Sequence, residues 1–386
     1  MKIDKYLFIA IASIITISII TSSSLSSYVT RYLGVSELHF FIRQSIFAYG
    51  AIFVIWFISR LDPDVYFKRL GFMLFIVPLI LMLAMPFLPS SLVHAVGGAK
   101  RWISLGFFSL APVEFFKIGF IFFLAWSFDR KIVSNHHDLK SEFKMILPYL
   151  GIFGLVVLLI AIMQKDLGQV IVLAVTLASM ALMAGASFRI FKYLSLLIIA
   201  VGIIAIISAE HRVNRLLTWW SMAQDYILSF IPEGIASHLR VSDISEPYQI
   251  SHSLNAIKHG SILGQGFGDG IYKLGYLSEV HTDFVIAGLA EEVGFVGILV
   301  ITSLFLTMIF RILKIANRSS SKTYFLFCYG VSILFSSSFL MNVYGITSIT
   351  PIKGIAVPLL SYGGSSMLAS SIALGIILML SKKAKL

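Results

Sequence analysis

Cysteine is almost missing from this chain. Cys328 is the only one in 386 residues and lies in an apolar run, so no intramolecular disulfide can form and no Cys-based metal site is visible. Charge is scarce as well: Asp, Glu, Lys and Arg make up 13% of the residues, against 58% hydrophobic and a mean hydropathy of +0.91. That balance lies far outside the range of a water-soluble domain and points to a polytopic membrane protein. Acidic residues are the rarer sign, 19 against 30 basic, which leaves a net charge of +11. The basic residues fall in small clusters between apolar runs rather than on one face, so they read as topology signals and not as a nucleic-acid surface. Gly264, Gly266, Gly268 and Gly270 follow no strand and lie in no βαβ unit, which excludes a dinucleotide site. No internal repeat is evident, which weighs against an inverted-repeat transporter. Lys2 and Lys5 before YLFIAIASIITISIITSSSL resemble a signal peptide, but no small-x-small cleavage motif follows, and the stretch reads as an uncleaved first helix.

A bilayer core about 30 Å thick needs roughly 20 apolar residues per helix. On that ruler the fold class is all-α and integral to the membrane, with ten transmembrane helices near 6–25, 44–60, 70–88, 114–128, 145–163, 167–185, 188–208, 284–310, 323–343 and 366–381. With both termini cytoplasmic, the inner segments hold 18 of the 30 Lys and Arg residues, the bias expected of cytoplasmic loops. The whole chain, 1–386, then forms one transmembrane domain, with a large extracytoplasmic loop at 209–282 between helices seven and eight. That loop has enough aromatic and amphipathic content to form short helices against the outer leaflet, and its length is typical of functional segments.

Polar residues concentrate at the outer face. In HTDFVIAGLAEEVGFVG, Thr282 is a candidate helix N-cap with Asp283 in the first turn, where the helix dipole favours a carboxylate. An equally open reading gives Asp283 a cavity at the membrane surface and the role of general base. Below it, Ala287, Ala290, Gly294 and Gly297 form a strip of small residues that lets another helix approach closely. Glu291 and Glu292 lie inside the apolar run and are expected to pair with a buried cation or to bond a broken helix nearby, a structural role. In GGAKRWISLG, Lys100, Arg101 and Trp102 suit either a phosphate near the headgroups or simple interfacial snorkelling. Glu114 with Lys117, and Lys165 with Asp166, are candidate ion pairs or ligand contacts. Asn342 to Met367 is apolar but broken by Pro351, Pro358 and several glycines, which predicts a re-entrant segment lining a cavity, with Lys353 at its tip.

These motifs in this order, GGAKRWISLG, PVEFFK, QKDLGQ, YQISHSLNAI with GQGFGDG, HTDFVIAGLAEEVGFVG and PIKGIAVPLLSYGGSS, resemble the SEDS family (shape, elongation, division and sporulation), from about Gly97 to the C-terminus. Lys353-Gly354 before SYGGSS resembles its division branch more than its elongation branch. The resemblance implies a peptidoglycan glycosyltransferase in the bacterial cytoplasmic (inner) membrane that polymerises lipid II on the outer face, probed below against a flippase reading that needs the same cationic cavity but no base. It implies that Asp283 is the essential acid, and that Lys100, Arg101, Trp102, Glu114, Lys117, Lys165, Asp166, His281, Thr282, Lys353 and Ser361 contact substrate. It also implies a class B penicillin-binding protein (a transpeptidase) and other divisome membrane proteins as partners. A divalent cation, Mg or Mn, suits a pyrophosphate, yet no dedicated ligand set is visible in the sequence. The chain departs from the family pattern at Ala111, Val113, Lys165 and Ser278, where Gln, Ser, Pro and Pro are usual.

The implied chemistry agrees with these residue types. Pyrophosphate is already a good leaving group, so the reaction needs one base for the attacking 4-hydroxyl and cations for the departing charge, rather than a glycosidase's second carboxyl. Displacement in one step inverts the anomeric centre.

Overall fold

The structure is a computed structural model and describes residues 3–384 apart from Glu37, His94, Gly97, Phe107, 132–138, 242–247, Ser278 and 352–353. Lys353 and Ser278, both singled out above, therefore lie outside the described residues.

Helices dominate. α1 (Lys5–Leu25) and the short α2 (Ser27–Leu33) lead to α3 (His39–Arg60) and α4 (Pro63–Ala84). Two small hairpins follow, β1 (Ala95–Val96) with β2 (Ala99–Lys100) and β3 (Ile103–Ser104) with β4 (Ser109–Leu110). They are an addition to the all-α expectation. Next come α5 (Pro112–Lys131), α6 (Leu139–Val157), α7 (Leu167–Met183) and α8 (Phe188–Ile207). Three helices, α9 (Glu210–Leu228), α10 (Glu233–Leu239) and α11 (Tyr248–Gly260), occupy the long segment before α12 (Val285–Asn317), α13 (Lys322–Ile346) and α14 (Gly364–Ser381).

Each of the ten expected spans coincides with a helix, but only eight, among the described residues, are long and apolar enough to cross a membrane: α1, α3, α4 extended to Phe87, 142–163, α8, α12, α13 and α14. α7 is apolar but short, and α5 carries Glu114, Lys117, Asp129, Arg130 and Lys131. α5 tolerates those charges because it is central. Phe116, Phe120, Phe122 and Phe128 are fully buried among α4, α7, α13 and α14. The outermost helices show the reverse pattern, with Ile199, Ile203, Ile204 and Ile207 of α8 exposed, while Gln44 donates to Ser18 at 2.6 Å in the interior. Apolar outside and hydrogen-bonded polar inside is the arrangement a lipid solvent requires.

Two helices depart from the regular form, and both departures shape the site. α6 runs into a π-helical turn at Leu158–Met163, so that Gln164 N bonds Leu159 O and Asp166 N bonds Ile160 O. The wider turn leaves Ala161 O free to accept from Arg212 Nη2 of α9 at 2.9 Å. α12 was expected as one continuous run over 284–310; it extends to Asn317 and is broken at Gly294, whose φ of 65° and ψ of −170° are not helical. The segment after α11 enters the break. Gln265 N and Gly266 N donate to Glu291 O and Glu292 O at 3.0 and 3.1 Å, and Phe295 N and Val296 N donate to Ser261 O and Ile262 O at 3.0 and 3.1 Å. A Cβ on Gly294 would sit 2.2 Å from Gly264 N, and the left-handed φ is itself a glycine conformation.

Candidate active site

The site gathers at the end of the bundle where α12 begins. Residues 279–284 form a tight turn in which Thr282 N, Asp283 N and Phe284 N all bond Glu279 O, at 3.2, 3.0 and 3.1 Å. This corrects the capping expectation. The N-cap of α12 is Phe284, without a side-chain cap; Phe284 N, an amide that a Thr282 cap would bond, already donates to Glu279 O. The Thr282 hydroxyl donates to Glu279 Oε2 at 2.8 Å instead.

The broken segment 351–363 holds this turn in place. Ser361 Oγ donates to Thr282 O at 2.7 Å and accepts from Val357 N at 2.9 Å, and Tyr362 N donates to His281 O at 2.9 Å. Asn342 of α13 bridges the two, with Nδ2 on Asp283 O at 2.6 Å and on Ile355 O at 2.8 Å. The Asp283 backbone is thus fixed from several directions. Its carboxylate accepts no hydrogen bond from the described residues, and it lies against Gly354, where an added Cβ would come within 2.5 Å of Oδ2. Among the described acidic side chains that are not exposed, no other has a carboxylate without a donor: Asp4, Glu114, Asp129, Glu142, Asp166, Glu291 and Glu292 each accept at least one.

Electrostatics follow from that isolation. Burial pushes the Asp283 carboxyl up to about 7, the negative charges of Glu279 and Asp166 push the same way, and Arg101 pulls against them. Asp166 is raised too, by burial above all, with Arg101 as its main counterweight. Burial holds His281 below the usual imidazole range. The His281 ring packs edgewise on Phe40, centroids 5.2 Å apart, and its Nδ1 has no partner among the described residues.

The expected cations divide into separate groups. Arg101 donates from Nε to Gln164 O at 2.8 Å and from Nη2 to Lys165 O at 3.1 Å, which anchors the hairpin to the α6–α7 turn beside Asp166. Lys100, the last residue of β2, reaches Pro86 O at 3.2 Å instead. Trp102 is partly exposed, with the Arg101 guanidinium 5.9 Å from its ring centroid. Lys165 is exposed, has a φ of 52°, and places Nζ against Gly98. Proline fixes φ near −65°, so the turn as built here has no room for the proline usual at this position in the family.

Lys117 is buried in a network of its own. It pairs with Glu114 at 3.0 Å and donates to Gln169 Oε1 at 2.8 Å; Gln169 Nε2 donates to Glu114 Oε1 at 3.2 Å, and Gln169 N caps onto Asp166 Oδ1 at 3.2 Å. Glu114, Lys117 and Gln169 line a cleft of about 350 Å³, mouth included, together with Ser338, Pro358, Ser366 and Ser370. Gln169, Asn342, Glu279 and Gly354 were not among the sequence candidates, although Gly354 had been marked as a helix breaker. Among the described residues no group of three or more His, Cys, Asp or Glu side chains is placed to hold a metal ion.

Glu291 and Glu292 lie elsewhere, two turns along α12. Glu291 accepts from Ile271 N, Tyr272 N and His259 Nδ1 at 2.7, 3.1 and 2.9 Å, and Glu292 pairs with the buried Lys273 at 2.6 Å.

Comparison with known proteins adds three findings. A family model described as a cell cycle protein, covering FtsW, RodA and SpoVE, matches residues 5–386. The probable peptidoglycan glycosyltransferase FtsW of Helicobacter pylori is 46% identical over 387 residues, spanning 100% of both chains, and that of Aliivibrio salmonicida is 31% identical over 97% of this chain and 87% of its own. In fold, the chain is similar to the rod shape determining protein RodA of Thermus thermophilus, with a TM-score of 0.66, 20% identity and 100% and 99% of the two chains covered. A chain from a peptidoglycan synthase complex superposes with a TM-score of 0.69 at 20% identity, over 99% of this chain and 98% of that one.

Proposed function

The chain belongs to the FtsW, RodA and SpoVE family of cell cycle proteins, and from that premise we propose a glycosyl transfer at Asp283. The chain is a multi-pass membrane peptidoglycan glycosyltransferase of the FtsW type. Our reading of its topology is ten spans, counting α5 and α7, with both termini cytoplasmic and the Asp283 end outside, in the bacterial cytoplasmic membrane. The substrate is then lipid II and the setting septal wall synthesis, with a class B penicillin-binding protein and other divisome membrane proteins as partners.

One observation carries the assignment of the base. Asp283 is held by its backbone, while its carboxylate accepts no hydrogen bond from the described residues and burial pushes its pKa up to about 7. A base is most effective when its pKa lies near the working pH, and such catalysis contributes about 100- to 10,000-fold. Asp283 takes the proton of the attacking 4-hydroxyl as the bond to the anomeric carbon forms and the bond to the undecaprenyl pyrophosphate breaks, with inversion. The pyrophosphate leaves carrying the electron pair. Arg101 and Lys165, together at the α6–α7 turn, supply positive charge for it, with Trp102 anchoring the hairpin at the interface. Lys117, Glu114, Gln169 and Asp166 form the polar wall, and His281, Thr282 and Ser361 hold the turn that presents the base.

The test uses purified protein in liposomes containing lipid II, with glycan polymer and lipid translocation measured side by side. Asp283→Asn is expected to abolish polymer while the protein remains folded. Polymer formation at the wild-type rate would remove the base from Asp283, and loss of translocation alone would favour a flippase.

A further inference from the structure

We infer that Lys273 and Glu292 are positioning residues for the Asp283 carboxylate, acting through the helical stub that carries it. The inference rests on the assignment of Asp283 as base and concerns what holds that base still.

The break at Gly294 divides α12 unequally. Residues 285–293 form a stub of little more than two turns, with Asp283 just ahead of it, and the remainder to Asn317 is a separate helical body. Across Gly294 the two parts share a backbone whose φ and ψ are not helical, so the long helix does not by itself fix the orientation of the stub. What ties down its far end is the segment between α11 and Tyr276. Gln265 N and Gly266 N bond the last carbonyls of the stub, at Glu291 and Glu292. These carbonyls would otherwise be left unpaired at a helix end.

Side chains complete the clamp. Lys273 Nζ donates to Glu292 Oε1 at 2.6 Å, to Gly268 O at 2.5 Å and to Ser24 Oγ of α1 at 2.9 Å, and Ser24 Oγ in turn bonds Glu292. Lys273 and Glu292 are both almost wholly buried, at 4% and 0% exposed side chain. One ammonium therefore ties three elements together: the stub, the loop and α1. Glu291 pins the same loop through the amides of Ile271 and Tyr272.

The pair is not arranged for maximum stability, since Glu292 Oε2 is buried without a partner among the described residues. A buried ion pair can often be replaced by neutral residues at little cost in stability, whereas removal of one member leaves an unpaired charge inside. That difference separates positioning from simple folding. In Lys273→Met/Glu292→Gln no charge is left buried, the fold is retained, and only the clamp is loosened. A misplacement of about 1 Å at a reacting group can cost on the order of 100-fold in rate.

The experiment compares four proteins in liposomes with lipid II: wild type, Lys273→Met/Glu292→Gln, Lys273→Arg and Asp283→Asn, with melting temperature measured for each. The double variant is expected to melt within a few degrees of wild type, to lose about 10- to 100-fold in kcat, and to keep KM for lipid II within about twofold. Lys273→Arg, which keeps the charge, is expected to recover part of the lost kcat. A double variant with wild-type kcat, or one that loses kcat only in proportion to lost folded protein, overturns the inference. Asp283→Asn separates the two layers: if it polymerises normally, the base assignment itself has failed, whereas an inactive Asp283→Asn beside a fully active double variant removes the positioning role alone.

Discussion

At the end of the bundle that holds both chain termini, Asp4 caps α1, accepts from Arg311 Nε and Nη2 at 2.9 and 2.5 Å, and has its own amide on Ser381 Oγ. Lys382 donates to Leu61 O at the end of α3, Lys383 pairs with Asp64 at 2.7 Å, and Asp129 accepts from Thr323. At the other end Asp283 is partly buried; its carboxylate feels the negative charges of Glu279 and Asp166 against Arg101 and accepts no hydrogen bond from the described residues. The first end uses its charges to join helices. The second keeps one acid strained, with its backbone fixed by Asn342 and its proton affinity raised by its neighbours, and this is what a reacting group requires and a structural one does not.

The difference predicts opposite signs for the same substitution. Asp4→Asn leaves Arg311 facing a neutral amide inside the bundle and is expected to cost about 3–5 kcal/mol of stability, the range for breaking a buried pair. Asp283→Asn is expected to raise the melting temperature at pH 8. The sign follows from linkage: a carboxyl whose folded pKa lies above its unfolded value stabilises the fold when protonated, and that contribution is lost as pH rises toward 7. Melting curves of both variants at pH 5.5 and pH 8 are the check, and a fall in melting temperature for Asp283→Asn at pH 8 would erase the contrast between the two ends.

Next in size is Gly354→Ala. The added methyl would meet Asp283 Oδ2 at 2.5 Å, so either the carboxylate or the 354 backbone must shift. A loss of about 10- to 100-fold in polymer formation is expected from displacement of a reacting group, with little change in lipid II binding. A wild-type rate for this variant would mean that the carboxylate is free to move.

These expectations depend on features that sequence exposed unevenly. Eight of the spans were legible because lipid demands long apolar runs, and HTD stood out because polar residues at the mouth of such a run are rare. The capping reading of Thr282 failed because its hydroxyl turns to Glu279 and Phe284 N bonds Glu279 O, a turn that leaves no mark in residue type. Gly294 read as one more small residue in a packing strip; only the approach of Gly264 makes it a break. Gln169, 52 residues from Lys117, and Asn342, 59 from Asp283, were beyond reach for the same reason. A long-range hydrogen bond has no periodicity to betray it. Lys100 and Arg101 are adjacent in sequence, yet one reaches Pro86 O and the other the α6–α7 turn, a divergence that residue type does not reveal.

A smaller effect concerns pH. If Asp283 is the base, polymer formation rises with pH through about 7, as the carboxyl loses its proton. Asp166→Asn removes one of the negative charges that raise it, so the rise is expected to begin at lower pH. A pH–rate profile that does not move would show that Asp166 acts on Asp283 through structure alone.

The smallest effect lies back at the first end, in Lys383→Met. Its partner Asp64 is 60% exposed and Lys383 itself 40%, so water and salt screen the pair, and two mobile side chains must be ordered to form it. No measurable change in melting temperature or polymer rate is expected. Lys382, one residue earlier, supplies the contrast, because its Nζ occupies a carbonyl at the close of α3 and its loss is expected to be felt in stability alone. Parallel melting and polymerisation assays of the two variants settle the point: a polymer rate that falls with Lys383→Met at unchanged stability would show that the charges at this end reach the chemistry after all.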